Sequence, residues 1–414
     1  MKKKAFNVAM CAAVATMMVA SASTVMAAAG TNYGTTIGGT KTTTFDKFLV
    51  MDKQAEVPNA SFSYAVTAGN AKAYDVAGKK FQVLAGVDAD KVTMAGVGTG
   101  AAANTIVYKQ GDATKNDANN MVKDYDSATE KYAQKTATLD FSKVQFTEPG
   151  VYRYVLTESG TNQGITNDAD LTRIVDVYVN DATTAGETGE VKALTIAGYV
   201  LHSNADDEPD VAAGEDAGST GSYVGTKSQG FTNSYDTSDL TFRKEVTGNQ
   251  ASHDKYFEFT VNIANAIAGT VYDVDITDAD ATSGKNAATI TENEGKANVT
   301  SLTVGADGTV TQKFYLQHGQ EIKIQGLAKD TTYDVTENKE DYKSTPAGVT
   351  DYADPVNGTI VSTDLKTSYM NTRDGVIPTG VVMAVAPFAA VTLFGGAGVV
   401  TMAMKGKKRK DEEE

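Results

Sequence analysis

The chain has 414 residues, a formal net charge of −15 and a single cysteine. An acidic surface of that size argues against nucleic acid as a partner, and one cysteine excludes a disulfide framework. Three histidines, His202, His253 and His318, are too few and too scattered for a metal or catalytic cluster, so surface or loop positions are expected for them.

Residues 1–29 read as a secretory signal peptide: Lys2, Lys3 and Lys4, an apolar run from Phe6 to about Val19, and the small-x-small sequence Val25-Met26-Ala27, with cleavage after Ala29 as the alternative. Cys11 lies in the apolar run and leaves with it. A secreted chain without cysteine needs another staple or a good core. Residues 30–236 form a first domain. Its opening, 30–43, is rich in Gly and Thr and is expected to be a flexible leader. Phe45 starts a strand pattern. Phe62, Tyr64 and Val66 alternate with small residues, the period of a half-buried strand. Residues 97–128 are polar and weakly patterned, which predicts a long loop. Leu139, Phe141, Val144 and Phe146 resume the pattern, Glu148-Pro149-Gly150 predicts a turn, and 151–158, 174–179 and 194–200 predict strands. Asn204 to Gly230 reads as an acidic surface insertion, and Phe231 to Tyr235 closes the unit.

A second domain spans residues 237–373. It opens with Leu240-Thr-Phe-Arg-Lys244 and carries alternating Phe257, Phe259, Val261 and Ile263, then Phe314 to Leu316, Ile322 and Ile324. Asp273, Asp275, Asp278 and Asp280 look at first like a calcium loop. Ser283 stands where such a loop needs glycine, so a solvated face is the better reading and no metal or other cofactor is expected. No window outside the two termini shows a helical period. The reading is all-β, with two β-sandwich domains in tandem.

Residues 374–414 differ in kind. Val376-Ile377-Pro378-Thr379-Gly380 precedes an uncharged apolar run from Val381 to Met404, long enough for a bilayer-spanning helix, and then Lys405, Lys407, Lys408, Arg409 and Lys410. One ordered set of residues also occurs twice: Lys47, Glu158 and Asn233, then Lys244, Glu337 and Asn371. In each, Lys sits in an early strand, Glu follows a Tyr-x-x-Thr ending, and Asn sits in the closing strand. The extra length in the first set falls in the loops named above.

These features resemble streptococcal-type major (backbone) pilins with Ig-like, Cna-type isopeptide domains. The resemblance rests on Leu-Thr-Phe-Arg-Lys244, on 149–158 and 333–337, on Phe231-Thr-Asn233, and on Asn371 close to the sorting peptide. It implies that Lys47 joins Asn233 and Lys244 joins Asn371 in amide bonds, with Glu158 and Glu337 as proton-handling partners. A buried carboxylic acid can hydrogen-bond the Asn carboxamide oxygen, and a buried amine is more readily neutral and nucleophilic. It further implies a sortase motif at 376–380, cut between Thr379 and Gly380 by a pilus-type sortase, and an acceptor lysine shortly before the closing strand of the first domain. Lys227 holds that place, although the Pro that follows it in the family is missing. The implied role is a structural subunit of a covalent surface fibre, not an enzyme beyond single-turnover bond formation. Its partners are the sortase, copies of itself or other pilins, and peptidoglycan, with attachment to the Gram-positive cell wall after a transient membrane-anchored stage. The alternative is a wall-anchored adhesin or stalk that never polymerises.

Overall fold

The computed structural model describes residues 33–76, 79–119, 121–182, 192–203, 227–277 and 297–376. Within them the chain is built from strands, and the one helical element is a single 3-10 turn, Ala89–Lys91. The all-β expectation holds. The signal peptide, the apolar run 381–404 and most of the 204–230 insertion lie outside the described residues.

The first unit is two sheets face to face. The central strand of one sheet, Thr42–Asp52, carries Lys47 and is called here the first Lys strand. It runs parallel to the Asn strand, Gly230–Tyr235, on one side and antiparallel to Glu130–Asp140 on the other. The opposing sheet holds the Glu strand, Gly150–Ser159, between Thr172–Asp181 and Ala60–Ala68. Strict alternation of buried and exposed residues from Ala60 to Tyr64 points Phe62 and Tyr64 inward. They pack with Phe45, Leu49, Leu156, Val177 and Phe231 in one apolar core. Residues 151–154 of the Glu strand are buried on both faces: Lys79–Ala85 pairs beside them, and Tyr74 and Val83 of the hairpin Lys72–Val76 and Lys79–Ala85 cluster with Val151, Tyr178 and Val200.

The second unit repeats the scheme with fewer strands. Thr237–Thr247, carrying Lys244, lies between Glu321–Ala328 and the Asn strand Leu365–Thr372, again parallel to the latter. Facing it is a four-stranded sheet in which Phe257–Ala264 alternates buried and half-buried residues, beside the Glu strand Thr332–Glu337. Asp236 alone separates the last strand of the first unit from the first strand of the second. Its N–H donates to Gly164 O, and its carbonyl accepts from Lys329 N. Gln110 pairs with the Val271 backbone across the junction, and Ala328 packs into the first core.

Four expectations need correction. Residues 33–39 of the supposed leader form a strand parallel to Lys192–His202, with Ile37 buried. The supposed loop 97–128 contains the strand Thr105–Tyr108, whose Ile106 and Tyr108 are fully buried; two apolar residues in alternation were enough to define a sheet edge. Gly230 belongs to the Asn strand, where a Cβ would collide with the Asp46 carbonyl. His202 is fully buried rather than on the surface, 3.2 Å from an Asp176 carboxylate that also takes a bidentate bond from Arg153.

Candidate functional site

The two Lys–Asn strand pairs share one register. Lys47 stands opposite Phe231 and Leu49 opposite Asn233; Lys244 stands opposite Tyr369 and Val246 opposite Asn371. Lys and Asn therefore lie two positions apart on neighbouring strands and on the same face, within reach of each other's side chains. The Glu comes from the opposite sheet in both units. The sandwich brings together three residues remote in sequence, and does so twice.

In the first unit Lys47, Glu158 and Asn233 are at most 1% exposed. Lys47 Nζ donates to Glu158 Oε1 at 2.8 Å, and Asn233 Nδ2 donates to the same oxygen at 2.8 Å. Tyr64 donates its hydroxyl to Glu158 Oε2 at 2.6 Å. The Phe62 ring lies 4.4 Å from Nζ and screens it from water. Burial pushes the Lys47 amine down to about 8, against the opposing pull of Glu158.

The Asn233 carboxamide is held from both ends. Its Oδ1 accepts the backbone N–H of Asp168 at 2.9 Å, and its Nδ2 also donates to Asn167 Oδ1 at 3.1 Å. A backbone N–H can only donate, so the oxygen must face Asp168 and the nitrogen Glu158. This departs from the expectation that the acid binds the carboxamide oxygen. The Asp168 loop is itself anchored. Asp168 Oδ2 accepts from Arg173 at 2.6 Å and from Thr232 N at 2.9 Å, and Arg173 lies over the Phe231 ring and donates to Gly230 O. Burial opposes ionisation of Asp168, but the Thr232 amide and Arg173 together hold its carboxyl below the ordinary range.

The second unit repeats the centre and changes its surroundings. Lys244 Nζ is 2.7 Å from Glu337 Oε1, and Asn371 Nδ2 donates to that oxygen at 3.2 Å. The Phe257 ring lies 4.4 Å from Nζ, and burial again brings the amine down to about 8. A serine replaces the tyrosine: Ser344 Oγ donates to Glu337 Oε2 at 2.9 Å. Asn371 Oδ1 is buried and accepts no hydrogen bond among the described residues.

Lys227 is exposed. It pairs with His202 in an isolated bridge, three residues before the Asn strand of the first unit. Of the sorting peptide, Val376 is 88% exposed, and Ile377, Pro378, Thr379 and Gly380 lie outside the described residues. No group of side chains able to hold a metal ion occurs among the described residues, and of the four aspartates only Asp273 and Asp275 are described. Sequence reasoning missed Tyr64 as a donor, Asp168 and Ser344. Tyr64 was visible only as one more inward aromatic. The Asn167-Asp168-Ala-Asp170 run is a turn signal that could have drawn notice to the loop.

Residues 102–236 match the family model of the Spy0128-like isopeptide containing domain, which begins after Lys47. Residues 238–373 match a domain of unknown function, DUF7601. A curated protein of Streptococcus pyogenes serotype M1, named Pilin, is 26% identical over 406 residues, covering 94% of this chain and 97% of its own length. A crystal structure of the major pilin from Streptococcus pyogenes is 20% identical, with a TM-score of 0.46 over 81% of this chain and 99% of that chain. The T3.2 major pilin of Streptococcus pyogenes serotype GAS13637 is 19% identical, with a TM-score of 0.45 over 81% of this chain and 100% of that chain. The resemblance to streptococcal-type major pilins thus extends over nearly the whole sequence.

Proposed function

We propose that this chain, similar to streptococcal-type major pilins, is a structural subunit of a covalent pilus on a Gram-positive cell surface, stapled internally by Lys47–Asn233 and Lys244–Asn371 amide bonds. One observation carries the reading: two Lys–Glu–Asn sets with buried side chains, in one register, each lying between a Lys strand and the parallel closing strand of its sandwich.

The chemistry follows from the contacts. Lys47 passes a proton to Glu158 Oε1 along their 2.8 Å contact. The neutral amine attacks Asn233 Cγ. Glu158 then returns the proton to Nδ2, the Cγ–Nδ2 bond breaks and ammonia leaves, and the freed carboxylate takes the surplus proton from the Lys47 nitrogen, which keeps one hydrogen. An amine and a primary amide thus become a secondary amide and ammonia, once per site. Folding supplies the proximity that a separate catalyst would otherwise provide. Lys244, Glu337 and Asn371 do the same in the second unit. Tension entering one core strand and leaving by its parallel neighbour would cross the amide rather than shear the sheet.

Assembly rests on the C-terminal signal. A pilus-type sortase would cut at Thr379-Gly380 and join the Thr379 carboxyl to Lys227 of the next subunit, the last subunit passing to peptidoglycan. The exposure of Lys227 suits this role. Joining of that kind is heterologous and gives an open filament.

Intact mass tests the staples: protein released from cell walls should lack two ammonia units relative to its processed sequence. A mass equal to that sequence would remove the amide bonds from the reading. Lys227→Arg keeps the charge and removes the nucleophile. It should collapse the detergent-resistant ladder of wall extracts to monomer with both internal bonds intact. An unchanged ladder would place the acceptor elsewhere, and no ladder in the parent would leave a wall-anchored stalk.

A further inference from the structure

We propose that the backbone N–H of Asp168 is the oxyanion donor for the Lys47–Asn233 reaction, and that the Asp168 side chain positions it. The inference rests on the amide-bond reading above and divides its work between two groups. Glu158 lies on the nitrogen side of the Asn233 carboxamide and handles the proton. The Asp168 amide lies on the oxygen side and holds the charge.

Three observations carry it. First, the donor is already in place: Asp168 N is 2.9 Å from Asn233 Oδ1 in a site from which water is excluded. When the Lys47 lone pair bonds to Cγ, the carbonyl π electrons move to Oδ1, which becomes an alkoxide facing that N–H. When they return, the Cγ–Nδ2 bond breaks. A fixed donor at the developing charge is worth more in a dry site than in water. Second, Glu158 is not positioned for this task. Its Oε1 accepts hydrogen bonds from two nitrogens, Lys47 Nζ and Asn233 Nδ2, and its Oε2 takes the Tyr64 hydroxyl. Third, the loop is braced in a way its own sequence does not require. Asp168 accepts from Arg173, from Thr232 N in the Asn strand beside Asn233, and from Asp170 N. The braces tie the donor to the strand that carries the electrophile. Among the described residues the second unit lacks the device, since Asn371 Oδ1 accepts no hydrogen bond there.

The direct test removes one atom pair. In the full chain, Asp168 is replaced by its α-hydroxy acid analogue, which turns the N–H into an ester oxygen and keeps the side chain. Formation of each linked peptide is then followed by mass mapping after synthesis. The Lys47–Asn233 link should form about 10²-fold more slowly, the scale of one oxyanion donor, while Lys244–Asn371 forms at the parent rate. Asp168→Ala should slow the first link alone, and Asp168→Asn, which can still accept from Thr232 N, should recover much of the rate. A folded ester variant that forms both links at the parent rate would overturn the proposal. Should Asp168→Ala prevent folding of the first unit, the ester variant still decides, because its braces are intact. A parent chain with no links at all would instead remove the amide-bond reading on which this one stands.

Discussion

In the first sandwich the Asn233 carboxamide is held at both ends, with Asp168 N–H on its oxygen and Glu158 and Asn167 on its nitrogen; in the second, among the described residues, only the nitrogen of Asn371 is held. The lysine side differs less: Lys244 Nζ also donates to Tyr369 O at 3.3 Å, and the rest is alike. Each amine sits 4.4 Å from a phenylalanine ring, 2.8 or 2.7 Å from its glutamate, and is pushed down to about 8 by burial. Making a nucleophile needs only a dry strand position and an acceptor, and the sandwich core supplies both wherever Lys and Glu face inward. Handling the electrophile depends on loops that differ between the units.

The largest expected effect tests whether the centres are equivalent. Glu158→Ala should leave the first bond unformed and Glu337→Ala the second, each restoring one ammonia to the mass. Each proposed amide would close a long loop, worth roughly 5 kcal/mol by analogy with a disulfide. The first loop is about half again as long, but that alone separates the two by only about 0.3 kcal/mol. Denaturant unfolding of each variant should therefore show large and nearly equal losses, with a buried unlinked lysine adding to both. If Glu158→Ala also abolished the second bond, the sites would not be independent and the comparison would break.

The recurring pieces of this site were the legible ones. Lys47, Glu158 and Asn233 could be found because the same three types recur in order in the second domain, on strands marked by alternation. The register that unites them was not legible, since parallel pairing of strands so remote in sequence leaves no local mark. Nor was the carboxamide's orientation, which is set by a backbone N–H whose chemistry does not depend on residue type. The short strands Tyr33–Gly39 and Thr105–Tyr108 were hidden for another reason: Gly, Thr and Ala surround few large apolar residues, so tertiary pairing had to define them.

A second expected effect reports on the shared half of the comparison. Asn233→Ala and Asn371→Ala each leave a lysine and a glutamate buried but unlinked. The ordinary lysine value of 10.5 falls to about 8 in the folded state, so between those limits the unfolded chain binds more protons. Stability of each variant should therefore rise with pH from about 8 to about 10.5, and these lysines should add no slope below that window. A parent linked as proposed would have no free amine at either site and should lack this rise. Equal slopes would sharpen the claim that the nucleophile is made in the same way twice. A flat profile in one variant would mean that its amine reaches water.

The smallest expected effect concerns the hydroxyl on each glutamate. Tyr64 donates at 2.6 Å to Glu158 Oε2 from a buried position, and burial, reinforced by the neighbouring Glu158, holds its phenol well above its usual range, so it stays a donor across the working pH. Ser344 donates at 2.9 Å to Glu337 Oε2 from a half-buried strand near the sheet edge. Tyr64→Phe keeps the ring against Phe45 and Phe231 and leaves a carboxyl oxygen without its donor in a dry site, at a cost of about 2 kcal/mol. Ser344→Ala opens less than a methyl's worth of space where water can approach, so its cost should stay near 1 kcal/mol or below. Denaturant midpoints of the two domains, read in the linked protein, separate these values. Equal losses would mean that water reaches both carboxyls alike. The contrast between a sealed first site and a more open second one would then rest on the Asn oxygen alone.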